Sequence, residues 1–244
     1  MATSFAFKPI TTNGLVLYLD AANTKSYPGS GTTWIDLTTN RNNGTLTNFS
    51  NPSPQTILDS AYGGSILFDG VNDYVDLSTK LRFSNRDITY DFWVKSTDNT
   101  DVYHDIIVQA DPSQTNLSGM IKSRSGVNNG SVYLSLQGNL LISSLTGAQL
   151  LTTGIINYTG VIKLVSGFYN MYLYRNGILD NQRTTTISSY NMGAWASFQT
   201  RIGGGTSTYP EPWKGNIYCG RVYNIALTQE QVLQNYNATK GRFV

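Results

Sequence analysis

The chain has 244 residues and a net charge of +2, with 13% charged residues against roughly 25% in an average soluble domain. Its Lys and Arg are scattered without a run, which disfavours nucleic acid and anionic membrane surfaces as partners. No apolar segment reaches the roughly 18 residues that a membrane span needs. Cys219 is the only cysteine, which excludes an intrachain disulfide and a thiolate zinc cluster; set in an apolar run, it reads as a buried small hydrophobe.

Residues 1–13 lack the basic stretch, apolar run and small-residue cleavage site of a signal peptide. The expectation is a protein made in the cytoplasm, reaching the outside only by a route such as a virus particle released on lysis. Phe5, Phe7 and Ile10 give this segment an apolar side. It reads equally well as an arm that adds a strand to a partner's sheet and as a strand of the protein's own fold. The remainder, 14–244, shows no repeat and no linker, so a single domain is expected.

From Leu15 to Tyr223, strand-like runs recur between Gly, Asn, Pro and Ser, the pattern of a sandwich or barrel and not of alternating βαβ units. Asp69-Gly70, between Ile66-Leu67-Phe68 and Tyr74-Val75, predicts a tight connection. In Ile88–Lys95 the residues Ile88, Tyr90, Phe92 and Val94 alternate with Thr89, Asp91, Trp93 and Lys95, giving one apolar and one mixed face. Val161–Val165 and Met171–Tyr174 read as strands facing something apolar on both sides. Between Met171-Tyr-Leu-Tyr-Arg and Ile178-Leu179, the pair Asn176-Gly177 predicts a hairpin tip, because both residues tolerate positive φ. Near the end, Thr228 with Gln231 forms a capping box for a short helix whose apolar stripe is Val232, Leu233 and Tyr236, with Gly241 as its stop.

Three stretches together resemble the laminin-G-like members of the concanavalin A-like superfamily. They are Ile66-Leu-Phe-Asp69-Gly70-Val-Asn-Asp73-Tyr74-Val75, the Leu173-Tyr-Arg-Asn176-Gly177 hairpin, and Trp213-Lys-Gly215 through Tyr223-Asn224 to Glu230. The resemblance implies an all-β, concanavalin A-like (laminin-G-like) jelly-roll β-sandwich with one short C-terminal helix. Gly14–Asn23 with Trp34 and Asp36-Leu37, and the terminal Asn235–Gly241, are similar to laminin-G-like domains in structural proteins of tailed bacteriophages. This second resemblance implies a structural or adhesive virion component, as capsid decoration, head fibre, baseplate or tail fibre, in homo-oligomeric form among other virion proteins. The alternative is a cellular carbohydrate-binding domain of a larger surface protein. Tyr218-Cys219 stands where many relatives carry an acidic pair, and Ser96–Thr159 matches no motif.

Relatives that hydrolyse β-glucans carry clustered acids on one strand, since retaining hydrolysis needs two carboxyl groups about 5–5.5 Å apart. Here the only glutamates are Glu211, between Pro210 and Pro212, and Glu230, in the helix's first turn; Asp73 and Asp76 lie three apart and would face opposite sides of a regular strand. His104 has no nucleophile elbow beside it, and Gly203-Gly204-Gly205 lacks the Lys-Ser/Thr of a phosphate loop. No enzyme activity and no cofactor are expected. Calcium is the one ion worth weighing, with Asp69, Asp73, Asp98, Asp101, Asp105 and Asp111 as candidate oxygens, set against solvated loop aspartates as the plainer reading. For weak contact with a host-surface glycan, the candidate rings are Trp195, Tyr190 and Tyr209, while Trp34 and Trp213 fall at family positions that look structural.

Overall fold

The computed structural model describes residues 8–49, 56–57, 62–78, 81, 83, 86–97, 102–110, 117–122, 132–136, 140–143, 154–190, 199–206, 208 and 210–243. Within them the strands are β1 (Leu15–Asp20), β2 (Thr33–Trp34), β3 (Gly44–Thr47), β4 (Thr56–Ile57), β5 (Ser65–Asp69), β6 (Tyr74–Ser78), β7 (Ile88–Ser96), β8 (His104–Ala110), β9 (Leu117–Lys122), β10 (Val132–Leu136), β11 (Leu140–Ser143), β12 (Ile156–Val165), β13 (Phe168–Arg175), β14 (Ile178–Thr184), β15 (Gln199–Ile202) and β16 (Lys214–Tyr223), followed by helix α1 (Gln229–Lys240). They form two antiparallel sheets. One has the order β14-β13-β12-β7-β16-β5-β4, with β1 also paired to β16; the other has the order β11-β10-β9-β8-β15-β6-β3-β2. This is the expected jelly-roll sandwich with its C-terminal helix.

The main core lies between the sheets. Ile88, Tyr90, Phe92 and Val94 of β7 meet Ile107 of β8, Leu134 of β10 and Trp34 and Trp213 there, all at 1% exposure or less. Each such side chain contributes roughly 1.5–3 kcal/mol on leaving water. The stretch 96–159, which carries no recognisable motif, supplies β8 to β11 and hence half of the second sheet. The Asn176-Gly177 tip forms as predicted, with φ of 51° and 77°, and joins β13 to β14. The Asp69-Gly70 connection is also tight, held by Val71 N–H donating to Asp69 Oδ1 at 2.8 Å. It is no hairpin, because β5 belongs to the first sheet and β6 to the second.

The mixed face of β7 is not a solvent face, because α1 and the C-terminal tail roof it. Thr89 Oγ1 donates to Ile225 O at 2.8 Å and accepts from Leu227 N–H at 3.0 Å, pinning the approach to the helix. Trp93 stacks on Tyr236 and Phe243, with centroids 5.6 and 4.2 Å apart, and its Nε1–H donates to Thr239 Oγ1 at 3.1 Å. Between them Asp91 is buried at 1% exposure. It accepts from Asn157 Nδ2 at 2.7 Å and lies 3.1 Å from the NH2 of Arg221, itself fully buried. That approach is an ion pair without hydrogen-bond alignment, and no nitrogen of the Arg221 guanidinium makes a hydrogen bond among the described residues.

The helix begins with the predicted capping box, Thr228 and Gln231 bonding each other's backbone N–H. Its buried side differs from the expected stripe. Val232 and Asn235 are buried and Tyr236 packs on Trp93, whereas Leu233 is 42% exposed. The face that meets the sheet follows positions i, i+3, i+4 and i+7, and Leu233 lies about 100° round from Val232. Asn235 also fixes the start of the chain: its Oδ1 accepts Thr11 N–H at 2.8 Å, and Gln234 Nε2 donates to Pro9 O at 2.6 Å. Residues 8–13 therefore lie against α1, with Ile10 half-buried. Phe5 and Phe7 fall outside the described residues.

Candidate functional site

Among the described residues, the β13–β14 hairpin carries a cleft of about 370 Å³ lined by Gly154, Ile156, Arg175, Asn176, Ile178, Leu179 and Asp180. The turn chemistry builds it. Asn176 in the left-handed region bends the chain back onto the start of β12, where its N–H donates to Asn157 O at 2.8 Å and its Oδ1 accepts Asn157 N–H at 3.1 Å. Gly177, also left-handed, brings the backbone against Tyr236 of α1, where a Cβ would sit 3.0 Å from the tyrosine's own. Both ends of the tip are thus fixed before any ligand arrives.

A register shift then places the acid. Leu173 pairs with Asn181 and Tyr174 with Leu179, so Asp180 is the extra residue of a bulge on an edge strand. Its Oδ2 is shut off from water and accepts no hydrogen bond among the described residues. Arg175, opposite Ile178, supplies the cation. The Tyr158 hydroxyl lies near both charges: burial raises its pKa, Arg175 lowers it and Asp180 raises it. Ile178, 69% exposed, adds an apolar wall, while the neighbouring Leu179 packs into the cluster beneath α1. Donors, acceptors and C–H surface in one cleft, with the two charges balanced, suit a neutral polyhydroxyl ligand. A hydroxyl can accept from the guanidinium and donate to the carboxylate, whereas an anion meets Asp180 and a cation meets Arg175.

Of the rings proposed for ligand contact, Tyr190 is a correction. It is 2% exposed, packs edge-on to Tyr169 at 4.9 Å and donates its hydroxyl to Arg86 O, so it belongs to the core. Trp195 and Tyr209 lie outside the described residues. Trp34 and Trp213 are fully buried, as the family positions implied. Cys219 is buried with Trp93, Tyr218 and Phe243, and burial pushes its thiol up to about 12, which keeps it protonated. The Gly203-Gly204-Gly205 run ends β15. Gly203 has φ 75° and sits where a Cβ would overlap the Phe68 ring, a packing reason for glycine.

Among the candidate calcium oxygens, Asp98, Asp101 and Asp111 are outside the described residues, and within those residues no three acidic, histidine or cysteine side chains come together. Asp73 Oδ2 accepts Asp69 N–H at 3.0 Å while Oδ1 has no partner, and burial raises its carboxyl to about 6.

One acid pair has no local signal in the sequence. Asp105, fully buried at the start of β8, meets Glu211 of the loop before β16. Burial first, and then the neighbouring Glu211 charge, push the Asp105 carboxyl well above the ordinary carboxylate range. Its N–H donates to Glu211 O at 2.9 Å, and His104 Nδ1 contacts Pro212 O. A carboxyl pair of this kind marks many catalytic sites, but Asp105 is sealed from solvent, and the pair clamps the Pro210–Pro212 loop to β8. A second polar feature is a row across the outer face of the second sheet, where Thr33, Thr45, Asp76 and Arg201 stand in register. Arg201 stacks on the Tyr74 ring, 4.0 Å from its centroid, and donates to Gly205 O at 2.9 Å. The row runs into Val108, which is buried, so it forms no cleft.

Known folds place this architecture. Domain 4 of AbnA, a GH43 extracellular arabinanase from Geobacillus stearothermophilus solved with arabinotriose, is similar over 91% of this chain and 98% of its own, with a TM-score of 0.58 and 19% identity. The Trypanosoma rangeli sialidase is similar over all of this chain but 36% of its own, at TM-score 0.58 and 12% identity. The NanB sialidase of Streptococcus pneumoniae is similar over 70% and 27%, at 0.52 and 16%. At these identities the likeness is one of fold, and the chain spans only about a third or less of either sialidase. No curated protein matches the sequence. A family model matches residues 69–233, which hold the Asp69–Val75 connection, both clamped turns and the first turn of α1, and the chain thus belongs to the concanavalin A-like lectin/glucanase superfamily.

Proposed function

We propose that this chain is a non-catalytic carbohydrate-binding domain that takes a neutral saccharide in the β13–β14 cleft. The observation that carries the reading is the cleft's lining: Arg175 and Asp180 both near the Tyr158 hydroxyl, the Asn176 amide beside them and the exposed Ile178 as an apolar wall. The same fold in domain 4 of AbnA, solved with arabinotriose, supports the ligand class. Binding without turnover agrees with the chemistry of the acids. Asp105 and Glu211 are locked together, Asp73 is buried in a turn and Asp76 lies on the other sheet. The runs that resemble phage structural domains hold Trp34 in the core and Asn235 under the helix, so they give a virion role no separate support.

The test is calorimetric titration with neutral oligosaccharides, arabinotriose included, against the wild type, Asp180→Asn and Arg175→Ala. Each substitution should weaken binding by roughly tenfold to a hundredfold, the worth of a charge-assisted hydrogen bond. The bound sugar should be recovered intact after incubation. Absence of binding to every neutral sugar, or binding that survives both substitutions unchanged, would overturn the reading; release of new reducing ends would overturn its non-catalytic part.

A further inference from the structure

A second cleft, of about 240 Å³, lies on the β13–β14 hairpin and opens onto the outer face of the first sheet. Strand alternation decides which side chains reach it. Ile162 of β12 and Tyr169 and Met171 of β13 are buried in the core between the sheets, so their neighbours Lys163, Phe168, Asn170 and Tyr172 point outward. Register sets them in rows: Lys163, Asn170 and Thr184 stand side by side across the three strands, and Val161, Tyr172 and Gln182 form the next row. Arg183 borders the cleft as well, but it stands opposite Met171 on the inner face, so its side chain takes no part in the outer rows.

Two rings frame this surface. Tyr172 packs against the cluster of Val161, Leu227 and Val232 beneath the start of α1, which fixes its ring, and its hydroxyl lies 3.4 Å from Asn170 Nδ2. Phe168 opens β13 after a two-residue turn in which Ser166 and Gly167 have φ of 52° and 86°, and it is 45% exposed. At about 3.4 Å per residue, the two rings start roughly 14 Å apart along the strand, with Asn170 midway between them. The helix roofs the β7 and β16 part of the same face, where Tyr236 stacks on Trp93 and Asn235 bonds Tyr223, and it leaves Lys163, Phe168, Gln182 and Thr184 exposed.

The chemistry differs from that of the first cleft, where Arg175 and Asp180 bring a charge of each sign. Here two carboxamides, a phenol and a hydroxyl both donate and accept, and Lys163 is the charged side chain of the rows. The faces of the two rings are weakly negative and suit the C–H groups of a sugar. We infer that the outer face of β12–β14 is a second saccharide site, which takes a neutral oligosaccharide along β13 between Phe168 and Tyr172, so that the domain holds two sugar chains at once. The inference rests on the carbohydrate-binding reading in taking the ligand to be a saccharide, but it uses none of the first cleft's lining. Arg175 lies at the other end of β13, on the inward-facing positions that Leu173 and Met171 mark.

The experiment titrates the full chain with arabinotriose, xylotriose, cellotriose and trigalacturonate. At least one of the three neutral sugars should bind about tenfold more weakly to Phe168→Ala and to Gln182→Ala, and equally well to Arg175→Ala and Asp180→Asn. Phe168 and Gln182 are exposed, so both variants should melt with the wild type. The side-chain amide signals of Asn170 and Gln182 should move with that sugar while the Asn176 amide stays, and raised salt should leave the affinity unchanged. Neutral sugars that all bind Phe168→Ala, Gln182→Ala and Asn170→Ala as tightly as the wild type, yet are lost with Arg175→Ala, would overturn the inference and spare the first cleft. Binding indifferent to Arg175→Ala and Asp180→Asn but lost with the outer-face variants would do the reverse. Trigalacturonate bound alone, through Lys163 and only at low salt, would overturn the neutral class. Absence of binding to any saccharide would remove both proposals together.

Discussion

Replacing Asn235 by Ala should be among the most damaging single changes on the surface of α1, although it leaves the helix itself intact. The side chain is 1% exposed; its Oδ1 accepts Thr11 N–H at 2.8 Å, and its Nδ2 donates to Tyr223 Oη at 2.9 Å and to Asp91 Oδ2 at 3.4 Å. Asp91 keeps Arg221 and Asn157, so its loss is partial. Thr11 N–H and the Tyr223 hydroxyl lose their partners in a buried setting. At roughly 1–3 kcal/mol for each stranded group, the cost is about 3 kcal/mol, which for a chain of this size lowers Tm by about 6–12 °C. Thermal unfolding followed by near-ultraviolet dichroism reads the shift. Limited proteolysis should show residues 8–13 cut faster in the variant, because their tie to the helix is gone. A fall in Tm under about 2 °C, or a fall with unchanged cleavage at 8–13, would refute the claim that Asn235 joins the first residues of the fold to its last helix.

Two further outcomes follow from the buried acids and the glycine run. The Asp73 carboxyl, raised to about 6 in the folded chain from an ordinary 3.8, holds a proton that the unfolded chain has already released between those values. Its contribution to stability is therefore greatest at low pH and is lost as pH rises through about 6, and Asp105 acts in the same direction. Asp73→Asn should raise the unfolding free energy read from urea titration at about pH 8, by up to about 3 kcal/mol at 1.36 kcal/mol per unit, with little effect at about pH 4; a gain equal at both would show that titration is not the cause. Gly203→Ala, placed at φ 75° against the Phe68 ring, should cost roughly 2–5 kcal/mol from backbone strain and overpacking together, and a melting temperature within a degree of wild type would show that the contact yields freely.

Local chemistry made several elements legible in the chain. The Asn176-Gly177 tip, the Thr228–Gln231 box and the alternation of Ile88–Lys95 each depend on neighbours in sequence, and each forms as read. What could not be read locally are the meetings across the fold. Asp105 and Glu211 come from separate elements, and the buried Asp91, Arg221 and Asn235 come from three. Tyr190 looked like a loop ring because its surroundings are Ser, Asn and Gly, and only the edge-on Tyr169, twenty-one positions earlier, shows that it turns inward. The cleft had a faint signal of its own: Arg175 and Asp180 flank the Asn176-Gly177 hairpin tip, one on either strand. The bulge that aims Asp180 depends on the register of the partner strand. Leu233 misled because apolarity alone does not tell which side of a helix meets the sheet.

The pairing of β1 with β16 sets how the sandwich would respond to tension. Leu15 at the start of β1 lies opposite Tyr223 at the end of β16, and Asp20 lies opposite Cys219 further in. Drawn apart from these two ends, the strands would part like a zipper, one hydrogen bond after another, rather than shear with all their bonds loaded at once. The clasp of Pro9 and Thr11 on Gln234 and Asn235 would release first. The β13–β14 hairpin stands four strands from β1, beyond β12, β7 and β16, yet its Gly177 tip packs against Tyr236 of α1, so a pull that peels the helix away would reach the cleft before the strands between had parted.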